Sequence, residues 1–592
     1  MRMTFLINLV HMINNYHTKT KIGFTLLVFI AFILLPWSCR QASETAAPYE
    51  IVQSMEADSA AIAAEHPLAA KVGREILEAG GNAVDAAIAS QFTLAVVHPR
   101  AGNIGGGGFM VIRLADGEVA ALDYRETAPS AAHRDMYLDS LGNVDPDASK
   151  VGHLAVGVPG TVAGMEAAFN KYSKLKDWKA LLAPAIELAE KGFRITESEA
   201  ERLNRYREAF VKLNVDGKPF VKEGEWKMGD LLVQPELAAT LRRISDQGSA
   251  GFYEGETAEL IVKEMQRGGG LITLEDLKNY RAAWKDPIIC DYKNYRIITM
   301  PPSSSGGVVL CQILGMLEDQ PIGEYGFQSA EAVHTIVEAE RRAYADRAEY
   351  LGDDDFYPVP IEMLLSEEYL KMRFADFDPE RATPSQMVGA DTFKLKVESF
   401  ETTHTSVVDM WGNAVSVTTT LNLNYGSKVL VHGAGFFLND EMDDFSAKPG
   451  VPNYFGLIGA EANAIAPGKR MLSSMTPTIV EKDGDLFMVL GAPGGSTIIT
   501  AVLQTMLNVM EYNFPLDSAV AAPRFHHQWL PDEIKVEPDA IDTLERKKLW
   551  DMGHTLKGVS RMALVKAVMK ASDGTLYIAA DPRNPDDHVE GF

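Results

Sequence analysis

Cysteine is scarce. The 592 residues include three, Cys39, Cys290 and Cys311, too few for a fold built on disulfides, so core packing has to hold the chain together. Cys290 and Cys311 read as two small buried hydrophobes, with pairing open to them in an oxidising compartment. Positive charge is short as well. Lys and Arg total 56 against 81 Asp and Glu, and the net charge of -25 repels phosphate backbones. That excludes an electrostatic footprint for nucleic acid and favours a small-molecule or peptide partner. There is no HExxH, no GxxxxGK[ST] and no GxSxG, which removes the usual signatures of zincin, P-loop and nucleophile-elbow chemistry. The glycine run at 105 to 108 lacks the lysine of a phosphate cradle and reads as close backbone packing. His526 and His527 are adjacent, would face opposite ways on a strand and have no CxxC or further histidine beside them, so their expected role is structural. Neither a metal nor a cofactor is expected.

One long apolar run is present, from Ile22 to Trp37, preceded by Lys19 and Lys21 and followed by Ser38, Cys39 and a polar stretch from Arg40. This is the layout of an export signal, and the run is shorter than the roughly 20 residues a spanning helix prefers. Residues 1–38 are therefore read as a leader and 39–59 as a linker, with translation starting at Met1 or at Met12. Cys39 directly follows Ser38, as the acylated cysteine of a bacterial lipoprotein would, but Pro36 and Trp37 are unusual there. Lipid anchoring at Cys39, plain cleavage and an uncleaved anchor all stay open. The expected location is periplasmic or envelope-associated.

Hydrophobic residues at 46% and charged residues at 23% of the whole sequence are ordinary globular composition. Ala60 to Val97 reads as helices broken at Gly80 and Gly81, Phe109 to Ile112 as a strand, and Asp116-Gly117 as a turn into a second strand ending near Tyr124. Helical material is expected from Val162 to about Ala375, including His334 to Tyr350. Past Pro384 the texture changes to hairpins: one around Trp411-Gly412-Asn413, one around Asp483-Gly484 and one around Asp573-Gly574, with a helix from Thr497 to Tyr512. Layered sheets with helices outside follow from this order.

Glu401-Thr402-Thr403-His404 opens the first of those hairpins. A threonine hydroxyl is a weak nucleophile without a base, and an economical base is the threonine's own α-amine, which titrates at roughly 7.7 to 8.0 once freed. Cleavage before Thr402 would create it. On local grounds alone a Thr-Thr pair on a strand is mere β-propensity. The neighbourhood says more. Thr402 to Asp409, Gly412-Asn413-Ala414-Val415, Asn439 to Ser446, Leu472 to Thr478, Gly491 to Ser496 and Pro523 to Trp529 together resemble the small subunit of γ-glutamyltranspeptidases. Asp123-Tyr124-Arg125-Glu126 and Tyr344-Ala345-Asp346-Arg347 resemble the large one, so the likeness runs from about Ala60 to the end.

The resemblance implies an α/β (α+β) fold, the four-layer αββα sandwich of N-terminal-nucleophile hydrolases, formed by a large subunit (60–401) and a small catalytic subunit (402–592) cut from one precursor between Glu401 and Thr402. Thr402 would attack the γ-carbonyl, Thr420 would orient it, and Gly494 and Gly495 would offer backbone N–H groups to the oxyanion. Arg125, with Ser473 and Ser474, would hold the donor's α-carboxylate; Asn422, Glu441 and Asp444 would receive its α-ammonium. The lid loop would span Pro449 to Ala460, with Tyr454 and Phe455 over the donor. Phe455 stands where many bacterial members have tyrosine, which removes a hydrogen bond across the pocket and favours water over an amine acceptor. Glutathione and other γ-glutamyl compounds are the implied donors, and amino acids or peptides the acceptors. Two other readings stay open: a glutaryl or β-lactam acylase of similar architecture, which has little use for Glu441 and Asp444 together, and a catalytically silent envelope-anchored binding protein.

Overall fold

The computed structural model describes residues 47–388 and 402–592. The leader, Cys39 and Glu401 lie outside the described residues, as does the proposed bond of cleavage. Two seven-stranded sheets form the centre. Their strands in chain order are β1 (Ser54–Ala57), β2 (Ala61–Ala64), β3 (Gly107–Arg113), β4 (Val119–Asp123), β5 (Ala283–Lys285), β6 (Ile288–Tyr292), β7 (Tyr295–Thr299), β8 (Thr403–Val408), β9 (Ala414–Thr420), β10 (Thr478–Lys482), β11 (Asp485–Gly491), β12 (Lys566–Lys570), β13 (Leu576–Ala580) and β14 (His588–Gly591). The first sheet has the order β1-β13-β12-β11-β10-β7-β6 and the second β14-β2-β8-β9-β3-β4-β5. Every neighbouring pair in both is antiparallel.

Side chains alternate across the second sheet as a pleat requires. Ile62, Met110, Ile112, Leu122, Val407 and Val415 share one core with the helices α1 (Pro67–Glu78), α2 (Ala83–Val97), α3 (Trp178–Lys191) and α4 (Pro235–Gln247). Ala61, Ala63, Phe109, Val111, Ala121 and Val408 point the other way, into a core shared with Ile298, Val480, Val489 and Val568 of the first sheet. The helices α5 (Gly306–Leu317), α6 (Ala330–Tyr350) and α7 (Ile498–Met510) complete that core. The result is the expected αββα sandwich. α2 is buried along its whole length and starts with a capping box between Asn82 and Asp85, after Gly80 takes φ +90° to part it from α1. Among the described residues, no helix is long and apolar enough to cross a membrane.

The expected hairpins are present at β8–β9, β10–β11 and β12–β13. Four expectations are corrected. Residues 283–299 form β5, β6 and β7 inside a region expected to be helical, and Ala61–Ala64 is a central strand in place of helix. The stretch read as linker up to residue 59 contributes the edge strand β1. Cys290 and Cys311 are joined in a disulfide, not merely buried side by side, with Cα atoms 5.9 Å apart. The cause is the same misread strand: β6 sets Cys290 on the sheet edge against α5, which carries Cys311.

Candidate active site

β8 and β9 pair with Thr403 opposite Thr419 and Val408 opposite Ala414, so one further step of register sets Thr402 across from Thr420. On its other side Thr420 pairs with Gly107 of β3. A side chain on the glycine run would strike backbone there, since a Cβ on Gly106 would lie 2.1 Å from the Thr420 carbonyl oxygen and one on Gly108 2.3 Å from that of Thr418. The run serves close packing, as its sequence suggested. Beyond β9 the chain turns through Asn422 at φ +74°, whose N–H donates to Thr420 Oγ1 at 2.8 Å. The Asn422 amide donates to the Asp440 carbonyl oxygen at 3.0 Å, and Asn103 Nδ2 donates to that of Thr420 at 2.8 Å.

Thr402, Thr420, Asn422, Arg125, Glu441, Asp444, Ser473, Ser474, Gly495 and Phe455 line one buried cavity. Gly494, at φ +145°, lies directly behind Gly495, with Ala563 so near that a Cβ on Gly494 would come within 2.4 Å of it. Of the lid pair, Phe455 covers the cavity, whereas Tyr454 turns outward and its ring centroid lies 5.5 Å from the Lys150 ammonium. The free volume is about 20 Å³, room for a water or so and far less than an amino acid needs. The lid is closed.

Three carboxylates converge on one guanidinium. Arg125 donates from Nη2 to Asp444 Oδ2 at 2.5 Å, has Glu441 Oε2 at 2.8 Å from Nη1 and Glu126 Oε2 at 3.7 Å, and donates from Nε to the Met471 carbonyl oxygen at 3.3 Å. Burial works against the Arg125 charge, but the attraction of Glu441, Asp444 and Glu126 outweighs it and raises its pKa. Burial likewise favours the neutral carboxyls, Arg125 opposing it. Asp444 is pushed up to about 6, Glu126 to about 8, and Glu441 well above the usual range. The guanidinium and these carboxyl groups therefore sit side by side, with Arg125, Glu441 and Asp444 lining the cavity.

One cation in this cavity was missed from sequence. Arg347 of α6 lines it, donating from Nε to Ser305 Oγ at 2.9 Å and from Nη2 to Ser474 Oγ at 3.3 Å. Ser474 Oγ thus accepts from Arg347, while the Ser473 carbonyl oxygen accepts from Ser305 N at 2.8 Å and Oγ at 2.6 Å. Burial lowers the Arg347 pKa to about 10, against the pull of Tyr344 and Asp444. The signal available was its place in the Tyr344-Ala345-Asp346-Arg347 motif, on a helix where charged residues face every side and nearly all are buried.

Other ligand-bearing groups are committed elsewhere. His334 Nδ1 and His554 Nε2 share a hydrogen bond of 2.8 Å, and the nearby Glu338 is bound to Arg341 and Arg342. His526 contacts Thr500 and Gln528, and His527 contacts Asp532, which accords with structural roles.

The γ-glutamyltranspeptidase family model matches residues 69–590. The chain belongs to that family. It is 47% identical over 549 residues to the glutathione hydrolase proenzyme of Escherichia coli K12, covering 92% of this chain and 93% of that one. Against the proenzyme of the same name from Pseudomonas aeruginosa it is 47% identical over 534 residues, 89% and 93% of the two chains. The γ-glutamyltranspeptidase structure from Helicobacter pylori superimposes with a TM-score of 0.54 at 46% identity, covering 59% of this chain and 99% of that one. A cephalosporin acylase from Bacillus halodurans has a TM-score of 0.78 over 93% of this chain and 98% of its own, at 26% identity. The wider architecture is thus shared with acylases, but sequence identity runs with the γ-glutamyltranspeptidases, and this chain is an enzyme of that family.

Proposed function

We propose that this γ-glutamyltranspeptidase is a glutathione hydrolase and γ-glutamyltransferase that cuts its own chain between Glu401 and Thr402. The observation that carries the reading is that Thr402 and the Arg125–Glu441–Asp444 cluster line the same cavity. Cleavage frees the α-amine of Thr402. The Thr402 Oγ then attacks the γ-carbonyl carbon and its proton passes to that amine; the oxyanion is received by N–H groups at Gly494 and Gly495. As the C–N bond breaks, the amine returns the proton to the leaving nitrogen, leaving a γ-glutamyl ester on Thr402. Water or an amino-acid or peptide acceptor attacks the ester by the reverse sequence. Arg125 and Arg347 compensate the donor's carboxylate, and Asp444 and Glu441 its ammonium.

The two acids argue against the acylase alternative, since a glutaryl donor has no ammonium to occupy them. The Cys290–Cys311 disulfide supports export into an oxidising compartment, in line with the apolar leader at 22–37. Thr402→Ala should leave one uncut band on a denaturing gel and no turnover of a γ-glutamyl anilide, and wild type should prefer γ-glutamyl over glutaryl anilide. Retained processing and turnover in Thr402→Ala, or an equal rate on both anilides, overturns the assignment.

A further inference from the structure

We propose that Asn453 is a positioning residue that couples closure of the lid to recognition of the donor's α-ammonium, an inference that rests on the γ-glutamyl reading above. The lid reverses direction at this residue. Asn453 Oδ1 accepts the N–H groups of Phe455 at 3.0 Å and Leu457 at 3.1 Å, and its backbone N–H donates to the Leu457 carbonyl oxygen at 3.1 Å. One side chain therefore shapes the turn that presents Phe455 and Leu457, two apolar side chains, to the cavity.

The other end of the same amide reaches the site. Asn453 Nδ2 donates to Asp444 Oδ1 at 3.2 Å, while Asp444 Oδ2 accepts from Arg125 at 2.5 Å. Asp444 is held on one oxygen by the lid and on the other by the cavity's guanidinium. A second tie, from Tyr454 N–H to Asp443 Oδ2 at 3.1 Å, fastens the lid's backbone but touches no group that lines the cavity. Phe455 has no hydroxyl with which to bridge the pocket, and its carbonyl oxygen accepts from Gln528 Nε2 at 3.3 Å, outside the cavity lining; Asn453 gives the lid a polar link to a group that lines the cavity.

An ionised carboxylate accepts at about four lone-pair positions, so Asp444 can hold the Asn453 amide and an arriving ammonium together. The amide fixes the plane of the carboxylate. With the lid open that restraint is gone, and Asp444 is free to turn fully onto Arg125, where its lone pairs are lost to the ammonium. Lid closure and ammonium binding thus favour each other, and the coupling acts equally in both directions. Ligands without an ammonium gain nothing from it.

Asn453→Ser is the discriminating variant, because its hydroxyl keeps a neutral acceptor for the turn, is too short to donate to Asp444 and adds no charge beside it. Asn453→Ala removes both. Each is compared with wild type for hydrolysis of γ-glutamyl-p-nitroanilide and for competitive inhibition by L-glutamate and by glutarate, which differ by the ammonium alone. In Asn453→Ser, KM and the Ki of L-glutamate should rise about tenfold, the loss of one charge-assisted hydrogen bond, with kcat within about twofold and the Ki of glutarate unchanged. Processing into two fragments and the melting temperature should match wild type. Equal weakening of L-glutamate and glutarate, or an unchanged KM, overturns the role given to Asn453. Wild type that leaves the anilide uncut overturns the γ-glutamyl reading itself.

Discussion

Phe455 packs so closely on Gly495 that a Cβ on the glycine would come 2.5 Å from the phenyl Cδ1. The lid thereby rests on the backbone proposed to receive the oxyanion, and Gly495 sits at φ +56°, where side chains are strained.

Gly495→Ala should therefore lower kcat/KM by about 100-fold, comparable to the loss of an oxyanion donor. Removing the ring as well, in Gly495→Ala/Phe455→Ala, should recover part of that loss, so the two effects will not add. Steady-state kinetics on the four members of the cycle measure this.

Arg125→Lys keeps the charge but not the fork that reaches both Glu441 and Asp444. Its donor KM should rise by about 100-fold, and unfolding free energy should fall by about 3 kcal/mol, as when a buried ion pair loses a partner. Kinetics and denaturant titration test the two halves separately.

The raised carboxyl pKa values set two opposite pH trends. Asp444 must be ionised to take an ammonium, so donor KM should fall as pH rises through about 6. Folding, in contrast, favours the protonated forms of Asp444 and Glu126. The stability they contribute is present at about pH 4 and below, and is lost as pH climbs through about 6 and about 8 respectively. Glu126→Gln should flatten the loss of unfolding free energy between pH 5 and pH 8 relative to wild type, measured by denaturant titration at both.

The Cys290–Cys311 disulfide closes a segment with a sequence separation of 21 residues. Chain-entropy arguments give such a loop about 3 kcal/mol. Reduction, or Cys290→Ser/Cys311→Ser, should lower the melting temperature by several degrees while γ-glutamyl turnover at 25 °C persists, because neither sulfur lines the cavity.

The hairpins were legible because Gly412, Gly484 and Gly574 take the positive φ their turns demand. β6 and β7 were not: their turn passes through Lys293 at φ +53°, a residue that announces no turn. Ala61–Ala64 reads as helix from its alanines and becomes a strand only because β8 and β14 flank it. Most of the candidate site residues named from sequence line one cavity, because separated motifs kept their order. Their pairing was not legible. That Arg125 bridges Glu441 and Asp444, or that Arg347 serves Ser474, depends on contacts between segments more than a hundred residues apart.

In the second sheet β14, β8 and β9 come from beyond residue 402, whereas β2, β3, β4 and β5 come from before it, and β2 is inserted between β14 and β8. Neither fragment of a cut chain owns a contiguous half of that sheet. Pulling the two apart would strip hydrogen bonds from both flanks of β2 at once, so separation is equivalent to denaturation. The nicked enzyme should behave as a single cooperative melting unit, and exchange of fragments between molecules should wait on global unfolding.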